Sequence, residues 1–380
     1  MGRTNSYYIG VSATRRPISC AFALFLGCLT LGDRPYARQA VSSPSKPAAS
    51  SAPVPADTLW TQTLEAPPAA DAVADSSRIY LPLDDARVVS LRRDTGAVAW
   101  SVALATRWPL VAVGQSVFAT TDDRLHELGA KDGMPVREVA LPGAVTGPML
   151  RAGELVLVPV APDLIVAWHH SQEYEVWRTS PGSAITRRGV AAGRRAYFTT
   201  ATNRVVAISL EDGRLVWSRP LAGVLTEPAM TEGRVVVGST ADRVSALNAA
   251  DGTLAWDSPV WADVVGVAAD AQRVYVTALD NVVRALNRSN GNQRWKEAIG
   301  TRARYAPLLA GTTLLISGID PVLTGFTASS GARSGTFEFR TEPELPVLGA
   351  APLLLDGGAP NGVRLVLFTR TEAMGLSPRQ

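Results

Sequence analysis

The segment AWHHSQEYEVW, residues 167–177, holds the densest group of side chains that could bind a metal ion. The adjacent His169 and His170 offer imidazole nitrogens, which are zinc ligands. Glu173 and Glu175 follow with carboxylates, which can also bind zinc. No third and fourth ligand follows at a spacing typical of a metal site. A solvated turn is the simpler interpretation, and we predict no metal site.

Other catalytic chemistry finds little support in the sequence. His126, the only remaining histidine, lies in the run RLHELGA beside Glu127, and we interpret it as a surface or hydrogen-bonded strand residue. No glycine-rich phosphate loop opens a helix, and no G-x-S-x-G nucleophile motif occurs. We therefore predict no catalytic residue and no bound cofactor, and we do not expect an enzyme.

Charge and cysteine content argue against a nucleic-acid-binding protein and against a disulfide-bonded domain. The formal net charge of +3 includes Arg3, Arg15 and Arg16, so the chain beyond them is close to neutral. Basic residues occur at most in pairs, whereas nucleic-acid binding needs an extended basic patch, so no nucleic-acid partner is expected. Cys20 and Cys28 both lie near the N-terminus, which leaves no disulfide for the rest of the chain.

The N-terminal segment is typical of an export signal. Three arginines precede an uncharged apolar stretch that is too short for a membrane-spanning helix. The sequence LFLGC, residues 24–28, resembles a bacterial lipoprotein signal, which predicts a signal over residues 1–27 and lipid attachment at Cys28. The alternative is a plain export signal. Residues 28–56 are rich in Ala, Ser and Pro and are predicted to form a tether, because this composition cannot bury a core.

Beyond the tether, tryptophan recurs at a regular spacing. Several tryptophans are preceded by a glycine four residues earlier, as in Asp251-Gly252 before Trp256. The repeated pairs are Gly96 with Trp100, Gly213 with Trp217, Gly252 with Trp256 and Gly291 with Trp295. The same register gives positions 60, 100, 137, 177, 217, 256, 295 and 335, with Arg137 and Gly335 in place of tryptophan. A fixed period of this kind indicates a repeat architecture.

Each repeat predicts four β-strands. In the repeat that ends at Trp256, short alternating or apolar runs such as RVVVGST and DRVSALN are separated by turns rich in Gly, Asp and Asn. The Asp-Gly pair supplies the positive φ that a tight turn needs. No stretch beyond residue 60 has the period of an amphipathic helix with caps. Four strands per repeat without helices predict an all-β fold, a β-propeller.

The chain ends predict how the propeller closes. The last repeat has three strand-like runs and lacks a fourth, whereas TLWTQT around Trp60 is a fourth strand without three before it. Joining them leaves no open edge. We predict an eight-bladed β-propeller of four-stranded blades over residues 57–380, in which the N-terminal strand closes the last blade.

The repeat ALNAADGTLAW resembles the tryptophan-docking repeat of the pyrroloquinoline-quinone-like (PQQ-like) propellers. The resemblance implies that the repeat tryptophans pack between neighbouring blades, where a large aromatic side chain buries much area. These residues are Trp60, Trp100, Trp177, Trp217, Trp256 and Trp295. The resemblance also implies that the contacts between neighbouring blades are weaker or differently packed at Arg137 and Gly335. Quinone binding is not expected, because the blades are compact and lack the cysteine pair common in quinoprotein dehydrogenases.

Within this family the blade count, length and signal are similar to those of the BamB group, lipoproteins of the outer-membrane β-barrel assembly machinery. That resemblance implies a non-catalytic periplasmic scaffold with protein partners, among them a barrel-assembly subunit. It implies a location on the periplasmic face of the outer membrane through a lipid anchor only, and a monomer outside the complex. The alternatives are an exported propeller that binds another protein or a surface polymer, and, less favoured, a quinone-dependent oxidoreductase.

Overall fold

The computed structural model describes residues 54, 56–172, 174–339, 348–355 and 364–378. All 32 regular elements in these ranges are β-strands, and they form eight antiparallel sheets of four strands each. No helix in this part of the chain is long and apolar enough to cross a membrane. The predicted signal and the lipidated Cys28 lie outside the described residues, as does nearly all of the tether.

The eight sheets are the blades of a propeller, and blades 1 to 4 follow one another along the chain. Blade 1 consists of β2 (Val73–Ala74), β3 (Arg78–Leu83), β4 (Arg87–Arg92) and β5 (Val98–Ala103). Blade 2 consists of β6 (Val111–Val113), β7 (Ser116–Thr120), β8 (Arg124–Gly129) and β9 (Pro135–Ala140). Blade 3 consists of β10 (Leu150–Ala152), β11 (Leu155–Val160), β12 (Leu164–His169) and β13 (Tyr174–Thr179). Blade 4 consists of β14 (Val190–Ala192), β15 (Arg195–Thr199), β16 (Arg204–Ser209) and β17 (Leu215–Pro220).

Blades 5 to 7 repeat this order, and blade 8 joins the two ends of the chain. Blade 5 consists of β18 (Ala229–Thr231), β19 (Arg234–Ser239), β20 (Arg243–Asn248) and β21 (Leu254–Pro259). Blade 6 consists of β22 (Val264–Ala269), β23 (Arg273–Ala278), β24 (Val282–Asn287) and β25 (Gln293–Ala298). Blade 7 consists of β26 (Leu308–Ala310), β27 (Thr313–Ser317), β28 (Val322–Thr327) and β29 (Arg333–Glu338). Blade 8 consists of β30 (Leu348–Leu354), β31 (Leu365–Thr369), β32 (Glu372–Pro378) and β1 (Ala56–Thr63).

The predicted closure is confirmed by the pairing of β1 with β32. Their antiparallel ladder runs from Ala56 opposite Pro378 to Thr63 opposite Glu372. The N-terminal strand thus completes the blade whose other strands come from the C-terminus. The all-β, eight-bladed prediction is also confirmed.

Burial along the strands explains why the second and third strands of each blade are nearly continuous apolar runs. In β3, Ile79 to Leu83 are all buried, and in β20 Val244 to Leu247 are buried. Both faces of these strands pack against neighbouring blades, so alternation with polar residues is lost. The outermost strand has solvent on one side and is mostly exposed, as in β25, where Trp295 is the buried residue.

The antiparallel order gives the propeller two faces. We call the face with the connections between blades, such as residues 104–110, the loop face; it also carries the turns between second and third strands. The opposite face carries the turns between first and second and between third and fourth strands, and we call it the turn face. The Asp-Gly turns of the repeat, such as the one at Gly252, lie on the turn face.

Each repeat tryptophan docks onto the following blade. Its indole Nε1 donates to a backbone carbonyl there, and its ring covers a turn glycine. The accepting carbonyls are those of Arg93 for Trp60 (3.2 Å), Ala130 for Trp100 (3.1 Å), Leu210 for Trp177 (3.0 Å), Ala249 for Trp217 (3.0 Å), Arg288 for Trp256 (2.7 Å) and Ala328 for Trp295 (3.0 Å). The covered glycines are Gly96, Gly133, Gly213, Gly252, Gly291 and Gly331. Their φ angles of 71° to 78° and the nearby indole both require glycine.

The joint between blades 2 and 3, where Arg137 replaces the docking tryptophan, is filled from the other side. Trp168 of β12 is 9% exposed and packs in a cluster with Phe118 and Leu125 of blade 2. The corresponding position holds Ile208 in blade 4 and Leu247 in blade 5. A larger side chain from blade 3 therefore takes up space at this joint.

The joint between blades 7 and 8, where Gly335 replaces tryptophan, is filled by the segment before β1. Gly335 pairs with Gly325 of β28, at the position where other blades pair tryptophan with a small residue. Val54 is fully buried, and its Cγ2 lies against Gly325 so closely that a Cβ there would overlap it. Val54 also joins the apolar cluster of this joint together with Phe339. Val54 thus packs where no docking indole is present.

Candidate functional site

The loop face has a polar funnel at its centre. The cavity has a volume of about 470 Å³ and is lined by inter-blade connections and first strands. We call its five charged side chains and its tyrosine the axial cluster: Asp71, Arg187, Arg188, Glu227, Arg304 and Tyr305. They come from the entries to blades 1, 4, 5 and 7, so a ligand in the funnel would contact several blades at once.

Hydrogen bonds fix the walls of the funnel. Asp71 Oδ1 accepts from the backbone N–H of Ala351 at 2.9 Å, which ties blade 1 to blade 8. Glu227 Oε1 accepts from the backbone N–H of Arg188 at 3.2 Å, which ties blade 5 to blade 4. Both carboxylates therefore bridge neighbouring blades while facing the funnel.

The aromatic member of the cluster links blades 7 and 8. Tyr305 Oη donates to the carbonyl of Leu348 at 3.3 Å. The guanidinium carbon of Arg304 lies 5.6 Å from the centre of the Tyr305 ring, within the range of a cation–π interaction. The arginine is exposed at the funnel mouth.

Enclosure by the blades changes the titration of two groups. Burial raises the pKa of the Glu227 carboxyl, and Asp71 adds to this, while Arg188 and Arg187 act in the opposite direction. Burial also raises the pKa of the Tyr305 hydroxyl. The side chain of Glu227 still has solvent contact through the funnel, so its charge remains available to a ligand.

The funnel is suited to recognition by charge and hydrogen bonding. Three arginines and two carboxylates line it, so it offers donors and acceptors of both signs. Across the described ranges, no three His, Cys, Asp or Glu side chains are grouped to hold a metal ion.

The histidine pair of the sequence lies away from the funnel, at the end of β12 on the turn face. His170 Nε2 contacts Glu154 Oε2 at 2.9 Å, and His169 Nδ1 accepts from the backbone N–H of Gln172 at 3.3 Å. The His169 ring stacks with that of Tyr174, with centroids 5.9 Å apart. Glu175 instead pairs with Arg178 at 2.6 Å. Glu173, the remaining candidate ligand, is outside the described residues.

His126 is hydrogen-bonded on strand β8, as a local structural residue would be. Its Nε2 lies 3.0 Å from Thr121 Oγ1 and its Nδ1 lies 3.6 Å from Glu138 Oε2. Burial lowers the pKa of the imidazole, against the opposing effect of Glu138. The neutral form is therefore favoured.

The axial cluster was missed because its members are far apart in sequence and belong to no motif. A signal for it does exist in the repeat. Asp71, Arg188 and Glu227 each lie two residues before the first strand of their blade. Charged residues at a shared repeat position that faces the axis could have indicated the funnel once the blade count was known.

The fold, the docked tryptophans and the axial funnel define an eight-bladed β-propeller of the PQQ-like type. A family model described as outer membrane protein assembly factor BamB matches residues 55–136, 84–167, 163–263 and 259–380. The chain belongs to this family. No curated protein matched the chain by sequence.

Three solved structures illustrate how widely this fold is shared. BamB from Moraxella catarrhalis is 16% identical, with a TM-score of 0.66 over 85% of this chain and 97% of the other. The computationally designed Ika8 protein is 13% identical, with a TM-score of 0.71 over 85% and 99%. The quinohemoprotein alcohol dehydrogenase ADHIIG from Pseudomonas putida is 11% identical, with a TM-score of 0.66 over 85% and 76%. At these identities the similarity shows the fold alone.

Proposed function

We propose that this protein is a non-catalytic scaffold of outer-membrane protein assembly that binds a protein partner through the loop face. The observation that carries the proposal is the BamB family match along the whole propeller. The axial cluster supports it, because it offers charged side chains in a fixed frame. The assembled groups include no pair of nucleophile and base.

A rigid frame favours binding through the funnel. Both carboxylates are held by backbone N–H groups of neighbouring blades, so they lose little freedom when a partner binds. Arg187 is exposed at the rim and forms no ion pair within the described residues. A partner segment with acidic side chains would gain the charge-assisted hydrogen bonds that arginine forms with carboxylates.

We place the protein at the periplasmic face of the outer membrane, held by a lipid on Cys28. The supporting observations are the LFLGC sequence and the tether over residues 28–56. A flexible coil of this length spans on the order of 30 Å, so the propeller could reach a membrane-bound partner without touching the lipid. The lipid would be its only contact with the membrane.

The test is co-purification from native membranes with a C-terminally tagged chain. We compare wild type with Arg187→Glu at the funnel rim and with Arg194→Glu on the turn face, where Arg194 is also exposed and pairs with Glu211. We expect a barrel-assembly subunit with wild type and Arg194→Glu, and its loss with Arg187→Glu. Equal recovery from both variants would remove the funnel from the proposal.

The identity of the captured proteins separates the remaining functions. Another envelope protein in stoichiometric amount would favour an exported propeller with a different partner. A stoichiometric quinone absorbance in the purified protein would favour an oxidoreductase. Mass spectrometry of the N-terminal peptide in the same sample tests the acylation of Cys28.

A further inference from the structure

A second cavity lies on the loop face, between blades 1 and 2 and away from the axial cluster. Its volume is about 490 Å³. We call it the Thr120 groove, after the residue at its base. The lining residues used below are Asp84, Thr106, Arg107, Trp108, Thr120 and Asp122. They come from the connection between the two blades and from the turn that follows the second strand of each.

Thr120 is the feature that points to a ligand. Its side chain is fully buried, at 0% exposure, and it lines the groove. Within the described residues, its Oγ1 has no hydrogen-bond partner. A buried hydroxyl without a hydrogen-bond partner destabilises the folded state, so such groups are uncommon in folded proteins.

The repeat shows what this hydroxyl does in other blades. Thr199 in blade 4 and Thr277 in blade 6 hold the equivalent position, five residues into the second strand of the repeat. Thr199 Oγ1 donates to the carbonyl of Thr226 at 3.1 Å, and Thr277 Oγ1 donates to that of Tyr305 at 3.3 Å. In both cases the acceptor is in the connection to the next blade. In blade 2 the same hydroxyl has no such acceptor within the described residues, and Thr120 lines the groove.

The other groups in the groove offer one aromatic surface and several polar contacts. Trp108 contributes a half-buried indole. Thr106 Oγ1 lies 3.3 Å from the backbone nitrogen of Trp108, which holds the aromatic residue in place. Arg107 pairs with Asp122 at 3.1 Å, whereas Asp84 forms no ion pair in the described ranges. The two aspartates and one arginine leave one excess negative charge.

These groups match the chemistry of a neutral sugar. An excess of negative charge disfavours phosphate or carboxylate ligands. A sugar ring has an apolar C–H face that can lie on an indole and hydroxyls that both donate and accept. Thr120 Oγ1 can donate and accept, and Asp84 can accept. We propose that the Thr120 groove binds one neutral sugar residue of a glycan, stacked on Trp108 and hydrogen-bonded to Thr120.

The test is binding of neutral trisaccharides to the purified full-length protein. The probes are cellotriose, maltotriose and triacetylchitotriose, followed by saturation-transfer NMR and tryptophan fluorescence. Thr120→Val removes the hydroxyl and keeps the shape, and Thr199→Val is its matched control in blade 4. Trp108→Ala removes the stacking surface. Melting temperatures are measured for every variant.

We expect saturable binding of at least one probe by wild type. Thr120→Val should weaken it about 3- to 10-fold without lowering the melting temperature, because no hydrogen bond within the protein is lost. Thr199→Val should lower the melting temperature and leave binding unchanged, and Trp108→Ala should abolish binding. The proposal is overturned if no probe binds saturably, or if binding is the same in Thr120→Val and Trp108→Ala as in wild type.

Discussion

The glycine of each Asp-Gly turn is required by two independent factors, positive φ and contact with an indole. Gly252 has φ 71°, and a Cβ at this position would lie 2.6 Å from Cε3 of Trp217. Gly233 has φ 69° and no atom within 4 Å of the same added carbon. Substitutions at Gly252 and Gly233 can therefore separate the cost of backbone strain from the cost of losing tryptophan docking.

We predict that Gly252→Ala destabilises the protein more than Gly233→Ala does. Each substitution carries the cost of a left-handed conformation, about 1–2 kcal/mol. Gly252→Ala must also displace the indole, which adds about 1–3 kcal/mol. Urea unfolding of both variants measures the difference. Equal losses of stability would show that the indole moves aside freely and that docking contributes little.

A second prediction concerns the carboxyl of Glu227. Enclosure raises its pKa in the folded state above the unfolded value, so the folded state binds the proton more tightly. Ionisation of Glu227 therefore opposes folding, and this cost appears as the pH rises from the unfolded pKa through the higher folded pKa. Glu227→Gln should be more stable than wild type at pH 7, because glutamine keeps an acceptor for the Arg188 N–H without the charge.

The advantage of Glu227→Gln should shrink as the pH falls through the raised folded pKa, and it should be gone below the unfolded pKa of glutamate, about 4.3. Unfolding free energies of both proteins across this range provide the measurement. Glu297→Gln, at an exposed position on β25 without an ion pair in the described ranges, is the control and should show no comparable trend. A constant difference between Glu227→Gln and wild type at all pH values would contradict the prediction.

Residue roles could be predicted from the sequence only in part. The tryptophans and glycines of the repeat were recognisable, but a spacing of four suggests contact within one turn. The structure instead places Gly252 under Trp217, and Trp256 over Gly291. Such contacts depend on the angle between neighbouring blades. The spacing of residues within one blade gives no information about this angle. The unpartnered hydroxyl of Thr120 depends on a connection whose path the sequence does not determine.

At the scale of elements, the two joints without a docking tryptophan are filled by different parts of the chain. Trp168 of β12 packs at the joint between blades 2 and 3, and Val54 packs at the joint between blades 7 and 8. The prediction of different packing at Arg137 and Gly335 follows from the sequence. The residues that fill these joints could not be predicted, because they lie outside the repeat position of the docking tryptophan.

The role of Val54 gives a prediction for this element. Val54→Ala removes two methyl groups from a fully buried site, and we expect a loss of about 1.6 kcal/mol, or about 0.8 kcal/mol for each group. Val98→Ala is the control, because Val98 is 50% exposed on β5 and should cost far less. Thermal and urea unfolding measure both. A Val54→Ala variant as stable as Val98→Ala would show that this joint does not depend on the segment before β1.

At the scale of the whole molecule, the two faces of the propeller carry different structural features. The docking turns lie on the turn face, and β1 enters there, since Ala56 pairs with Pro378 at the end of β32. The axial cluster and the Thr120 groove open on the loop face. The eight-blade count could be predicted because the period persists even where tryptophan is lost, and the missing fourth strand indicated the closure. The axial cluster and the Thr120 groove could not be predicted, because the connections of the loop face vary between repeats.

The closure by β1 leads to the last prediction, deletion of residues 56–64. Without β1, blade 8 loses its outer strand, and Trp60 no longer docks on blade 1 through its bond to the carbonyl of Arg93. Because each blade is stabilised by its neighbours, an open ring should unfold at a lower temperature in one cooperative transition. Deletion of residues 30–48, within the tether, is the control and should leave the melting temperature unchanged. Calorimetry of both variants decides: an unchanged transition after loss of residues 56–64 would mean that the other seven blades are stable without closure.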